Sequence, residues 1–216
     1  METYLDGHAE RRDTLPIPRR SGRWVQLVPA TPNYYDFVYS LVADEAVGYR
    51  WRFAGSVPAR EVFDRALWNN VLSQFIVVST ANAAPLGLVQ AYNAELTYGF
   101  TYVAQVMSTE AVGTGVGAEA FYLFAGYLFR VLPLRKLYLD VPEYNLPLVV
   151  SSRGFPVRTE GRLREHSYYD GRLWDRVVLA LYRQDYESIM RTESGRIKVP
   201  HVRSPRMLEE GKESWA

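Results

Sequence analysis

Between Val106 and Ala120 the chain reads VMSTEAVGTGVGAEA, in which a strand-like run passes into three glycines at alternate positions, Gly113, Gly115 and Gly117, and then into a helix-forming stretch. Glycines carry no Cβ, so backbone N–H groups can converge there, and the positive end of the following helix adds attraction for a phosphate or pyrophosphate. On either side the periodicity is clear. Tyr102 to Ser108 suits a strand, Phe121, Phe124, Ala125, Leu128 and Phe129 recur at helical spacing between Gly115 and Val131, and Pro133 stops that helix. Lys136 to Val141 (KLYLDV) suits the next strand. Strand, helix and strand in this order form a βαβ crossover, so the fold must hold a parallel strand pair.

The remaining segments are joined mostly by tight turns. Trp24 to Val28 alternates as a strand, and Thr31 with Pro32 opens a helix running through Tyr35, Val38, Tyr39 and Val42. Val62, Phe63, Ala66 and Leu67 place a second helix within Pro58 to Val71, and Gln74 to Thr80 is β-branched enough for a buried strand. Leu86 to Glu95 pairs with Tyr102 to Ser108 through a connection containing Gly99. Pro142 to Gly154 holds a short helix or a loop, and Phe155 to His166 with Leu173 to Tyr182 reads as a closing hairpin turned by Tyr169-Asp170-Gly171. The fold class expected is α/β of the mixed α+β kind, a mostly antiparallel central sheet with one βαβ crossover and flanking helices.

Composition narrows the setting. The chain has 216 residues, 48% of them hydrophobic, which suits one ordinary domain with a sizeable core. Residues 1–22 are polar and broken by prolines, as are residues 191–216, so a flexible leader and a polar tail are expected around a domain spanning 23–190. There is no cysteine, which excludes disulfides and thiolate nucleophiles. The formal charge of +1 gives no overall pull toward nucleic acid or an anionic membrane. Ala118 to Leu134 is the longest apolar stretch, yet it contains Glu119 and Arg130 and falls short of the ~20 residues needed to span a bilayer. The amino terminus lacks the apolar run of a secretory signal. A cytoplasmic protein with no nucleic-acid or membrane partner is expected, and strand edges around Met107 are compatible with a homodimer.

The glycine turn admits two cofactor readings. Gly113-x-Gly115-x-x-Ala118 fits the dinucleotide fingerprint, with Asp140 at the end of the next strand as a ribose ligand. That reading, an NAD-binding oxidoreductase, requires a succession of parallel βαβ units, whereas here a strand-rich stretch precedes the turn. The second reading comes from a family resemblance carried by three segments. Val112 to Gly117 lies where the GNAT superfamily of acyl-CoA-dependent N-acyltransferases has Q/R-x-x-G-x-G/A, with Val112 departing from the usual Gln or Arg. Tyr138 to Asn145 (YLDVPEYN) and the run Gly154-Phe155, Glu160-Gly161, Arg164-Glu165-His166, Tyr168 to Arg172 and Asp175 resemble the branch of ribosomal-protein N-terminal acetyltransferases.

The resemblance implies acetyl-CoA or another acyl-CoA as co-substrate, and an amine-bearing small molecule or a protein N-terminus as acceptor. It implies that the pantetheine arm lies along Val106, Met107 and Ser108. It further implies that main-chain amides of Val112, Gly113, Thr114, Gly115, Val116 and Gly117 hold the pyrophosphate, with Asn145 also at the cofactor. Amine acylation needs positioning, carbonyl polarisation and a proton for the leaving thiolate, and no metal. Tyr144 is the first candidate for that proton, with Ser151 and Ser152 the next nearest hydroxyls, because Leu148 occupies the position where the family often has serine. His166, Glu45, Glu95 and Glu143 are open as general base. Tyr34, Tyr35, Tyr39, Tyr49, Trp51 and Phe53 make the first third aromatic, and Arg50 and Arg52 alternate with those rings. A non-catalytic module that binds acyl-CoA or a peptide is the other class these residues allow.

Overall fold

A computed structural model describes residues 20–149 and 156–190. Seven strands form one sheet: β1 Val25–Pro29, β2 Val71–Ser79, β3 Pro85–Glu95, β4 Phe100–Met107, β5 Lys136–Pro142, β6 Val157–Tyr169 and β7 Arg172–Tyr182. Their spatial order is β1-β2-β3-β4-β5-β7-β6. Only β4 and β5 pair in parallel, and the other neighbours are antiparallel. This is the mixed, mostly antiparallel sheet expected from the periodicity. A single parallel pair also leaves no room for the repeated parallel units that the dinucleotide reading needs.

Helices cover both faces. Against one lie α1 (Tyr35–Ala43) and α2 (Arg60–Ala66), whose Val38, Leu41 and Phe63 pack on Ile76, Leu88 and Val106. Against the other lies the crossover helix α3 (Val116–Val131), whose Phe124 and Leu128 pack with Phe75, Val89 and Val103. Covered on both sides, β2 is buried from Gln74 through Ser79 and needs no polar alternation, which is why its centre, Phe75 to Val78, reads as a continuous apolar run. The closing hairpin turns at Asp170 (φ 52°) and Gly171 (φ 73°), two successive positive φ angles of the kind a two-residue hairpin turn demands.

The sequence pattern did not signal α5 (Arg183–Met190), whose residues are mostly polar. Tertiary contacts hold it: the Tyr186 hydroxyl donates to the Tyr122 carbonyl at 3.1 Å, and Gly126 lets α3 approach, since a Cβ there would meet that hydroxyl at 2.3 Å. Arg183 donates to the Phe129, Leu132 and Leu134 carbonyls and so caps the end of α3.

Glu119 anchors the start of the domain. Its buried carboxylate accepts the backbone N–H groups of Arg23, Trp24 and Val25 at 2.7, 2.8 and 2.9 Å. Arg20 and Gly22 already bond to β1 through Leu27 and Val25. The rest of the leader, Ser151, Ser152 and the tail lie outside the described residues. β4 is an interior strand and the sheet edges are β1 and β6, so Met107 does not offer the edge on which the sequence reading based a homodimer.

Candidate active site

β4 and β5 part company halfway along. Pairing is recorded only from Phe100–Lys136 to Tyr102–Tyr138, so beyond these residues Val103 to Met107 and Leu139 to Pro142 are unpaired with each other. Both strands run the same way, and the gap therefore opens toward their carboxyl ends, where the glycine turn follows β4 and Tyr144 follows β5. β4 keeps its full pairing with β3 on the other side. The Ser108 N–H is taken by the Leu86 carbonyl at 2.8 Å. By strand alternation the main chains of Ser108 and Val106 then face β3, while those of Met107, Gln105 and Val103 face the gap. Of the three residues expected along the pantetheine arm, Met107 alone turns its backbone to the opening.

The glycine turn is built as an array of N–H groups. Gly113 has φ 78°, and Gly115, at the N-cap of α3, has φ 89°, a left-handed conformation that side chains resist. The Val112 N–H is spent on the Ser108 and Thr109 carbonyls, and those of Thr114 and Val116 make only long contacts at 3.4 Å. The N–H groups of Gly113, Gly115 and Gly117 have no partner among the described residues. Gly117 has a second role, because a Cβ there would lie 2.6 Å from Gln105 Nε2. The Gln105 amide donates to the Gly117 carbonyl at 3.0 Å, and its Oε1 is buried without a partner. Sequence reasoning did not single out Gln105; its position on the strand just before the turn was the available signal. Val112 is exposed at the lip of the turn.

Across the gap, Tyr144 lies among aromatic rings, with Tyr169 at 4.8 Å, Trp174 at 5.4 Å and Tyr49 at 5.9 Å between centroids. Tyr49 and Tyr169 stack at 4.1 Å, joining the segment after α1 to the closing hairpin. Burial pushes the Tyr144 hydroxyl above its ordinary range, so it keeps its proton. Asn145 is buried, and its side-chain carbonyl accepts from Arg50 Nη1 at 2.7 Å, which holds the start of the turn after β5 against the α1 side. Asp140, a ribose ligand in the dinucleotide reading, is instead paired with Arg176 at 2.7 Å.

His166 is placed elsewhere. It is exposed on β6, in an irregular stretch between Leu163 and Ser167, and β7 separates that edge strand from β5. Glu95 is exposed at the end of β3, and Glu143 is held by Arg162 at 2.9 Å. Glu160, part of the hairpin motif, serves the sheet: burial would raise its pKa, but bonds from Lys136, Tyr182 and Tyr138 outweigh that and hold it at about 2. No cluster of His, Asp and Glu suited to a metal ion occurs among the described residues. No helix among them is long and apolar enough to cross a membrane.

Solved structures share this architecture. Spermidine/spermine N-acetyltransferase SpeG from Vibrio cholerae, crystallised with manganese ions, superposes with a TM-score of 0.63 at 20% identity over 76% of this chain and 96% of its own. The Vibrio cholerae spermidine N-acetyltransferase in complex with CoA and spermine gives 0.64 at 19% identity, over 76% and 98%. The fold is that of the GNAT N-acetyltransferases. At this identity the likeness concerns the backbone, and no protein-family model or curated sequence matches the chain. These neighbours are polyamine enzymes, so they do not extend the resemblance to the ribosomal-protein branch.

Proposed function

We propose that this chain is an acyl-CoA-dependent N-acyltransferase that moves an acetyl or related acyl group onto a primary amine, of a small molecule or of a protein N-terminus, through a domain spanning residues 23–190. The observation that carries the reading is the gap between β4 and β5, which ends at three glycine N–H groups without partners. The residues fit the co-substrate: main-chain groups of Val103, Gln105 and Met107 suit the amides of a pantetheine arm, and Gly113, Gly115 and Gly117 suit its diphosphate. The neighbour that binds CoA and spermine supports the same reading. The finer assignment, to enzymes acting on ribosomal-protein N-termini, has the motif from Glu160 to Asp175 in its favour.

Bound there, the thioester supplies an activated acyl carbon. A neutral amine attacks that carbon, the C–N bond forms as the C–S bond breaks, and the amine's surplus proton leaves to solvent. Tyr144, protonated and at the open end of β5, gives its proton to the departing sulfur and regains one from solvent. Positioning supplies much of the remaining acceleration. The test is calorimetric titration with CoA and acetyl-CoA, followed by thiol release with a panel of amines. Saturable binding and amine-dependent thiol release are expected; heat from NAD and none from either thioester carrier would defeat the reading.

A further inference from the structure

The four rings around Tyr144 belong to neither of the two hydrophobic cores, nor to the side chains packed against them. They come from three separate segments: Tyr49 follows α1, Tyr144 follows β5, and Tyr169 and Trp174 flank the turn of the closing hairpin. Tyr49 and Tyr169 stack within 6° of parallel, and the Tyr144 ring tilts against both while meeting Trp174 edge-on. The stack is itself fastened from outside. Trp174 Nε1 donates to the Tyr169 carbonyl at 3.0 Å, and the Arg172 guanidinium lies 3.5 Å over the Trp174 ring. The Arg50 guanidinium lies 4.7 Å over Tyr49 while its Nη1 holds Asn145, the residue next to Tyr144. Among the described residues the Tyr144 hydroxyl has no hydrogen-bond partner, so its ring contacts set its direction.

We propose that Tyr49 and Tyr169 are positioning residues, which hold the Tyr144 ring at the open end of β5 so that its hydroxyl meets the sulfur of the departing thiolate. The step they serve breaks the Tyr144 O–H bond and forms an S–H bond, and it is sensitive to place: a displacement of about 1 Å can cost about 10²-fold in rate. Rings that fill neither core and converge on one phenol from two other segments do that work. The charged and titratable groups facing Tyr144 are Tyr49 and Arg50 from the segment after α1, Tyr169 from β6 and Arg176 from β7. Burial raises the phenol, Tyr49 adds to this, and the two guanidinia oppose it without overcoming it. The inference rests on the acyltransferase reading, since it concerns the proton donor of that same site.

The test measures thiol release from acetyl-CoA with spermidine, n-butylamine and glycylglycine in the wild type, in Tyr144→Phe, and in the leucine and phenylalanine variants of Tyr49 and Tyr169. Leucine at either position should lower kcat about tenfold or more with the KM for acetyl-CoA within about twofold, and phenylalanine, which keeps the ring, should restore kcat to within about twofold of wild type. Tyr169→Leu added to Tyr144→Phe should cost nothing further, because the residue it positions is already without its hydroxyl. Losing the Tyr169 ring also exposes the phenol of Tyr144. Ultraviolet titration of the Tyr169→Leu protein with and without Tyr144 should therefore find that pKa moved down toward the ordinary tyrosine range, and the alkaline limb of kcat should move down with it. Leucine variants as fast as the wild type beside a slowed Tyr144→Phe, losses that add in the double variant, or a leucine variant that no longer folds would overturn the inference, the last by showing the rings to be structural. A Tyr144→Phe protein as fast as the wild type, or no thiol release with any amine, would instead bring down the reading beneath it and the inference together.

Discussion

Gln105 reaches from the free side of β4 to the carbonyl of Gly117, 3.0 Å away, and so ties the wall of the gap to the first turn of α3. The contact requires glycine at 117 and sets the spacing between strand and helix. Gly117→Ala should push Gln105 aside, weaken CoA binding about tenfold and lower the melting temperature. Gly113→Asn should leave the fold within about 1 kcal/mol of wild type, because nothing lies within 4 Å of a Cβ there and asparagine tolerates the left-handed region. Calorimetry with CoA and thermal melting check both. Equal effects of the two substitutions would show that the Gln105 contact is irrelevant.

Tyr144→Phe should lower kcat by about 10²-fold or less while leaving the KM for the acyl donor within about twofold, the pattern for loss of a proton donor. The raised pKa of Tyr144 means that its proton is still in place through neutral and mildly alkaline pH. Activity should therefore rise with pH as the amine is deprotonated, with no early descending limb from this phenol. A pH–rate profile of both proteins measures this. An unchanged kcat in the phenylalanine variant would remove Tyr144 from the chemistry.

Stability should fall at both ends of the pH scale. Burial raises Tyr92, Tyr122 and Tyr186 to about 12 from an ordinary 10.0, so the unfolded chain loses these protons first. Their contribution is complete below pH 10 and disappears as pH climbs toward 12, a loss of several kcal/mol in order of magnitude. Glu160 has the opposite sign. Held at about 2 against an ordinary 4.5, it stabilises the fold above pH 4.5 and ceases to do so as pH drops toward 2. Denaturant unfolding across the range tests both limbs, and Glu160→Gln should flatten the acid limb alone.

Glu119→Ala should be among the most damaging single changes. It leaves the N–H groups of Arg23, Trp24 and Val25 without their acceptor next to the core, and a loss of about 3 kcal/mol or more is expected in urea unfolding. Glutamine should recover little, since its amide nitrogen cannot accept the N–H groups that the second carboxylate oxygen takes. A cost below about 1 kcal/mol would mean that water replaces the carboxylate.

Local periodicity and turn chemistry made much of the architecture legible before any coordinates. The helical spacing from Phe121 to Phe129, the apolar run of β2 and the Asp170-Gly171 turn each depend on residues within one segment, and each element formed as expected. α5 escaped because its eight mostly polar residues become a helix through Tyr186 and Arg183, which bond to α3 more than forty positions earlier in the chain.

The candidate site divides in the same way. Three glycines around the start of a helix point by themselves to main-chain N–H groups that can converge on an anion, because φ and the missing Cβ are properties of those residues. Which main-chain groups are free was decided by pairing partners: Ser108 is consumed by Leu86, and Met107 is left open. In the linear chain Tyr144 was the first candidate for the thiolate proton and His166 one of several for the base, and sheet order separated them by placing β7 between β6 and β5. Glu119 carried no sequence signal at all, since burial and the presence or absence of a partner arise only when distant strands and helices close around a side chain.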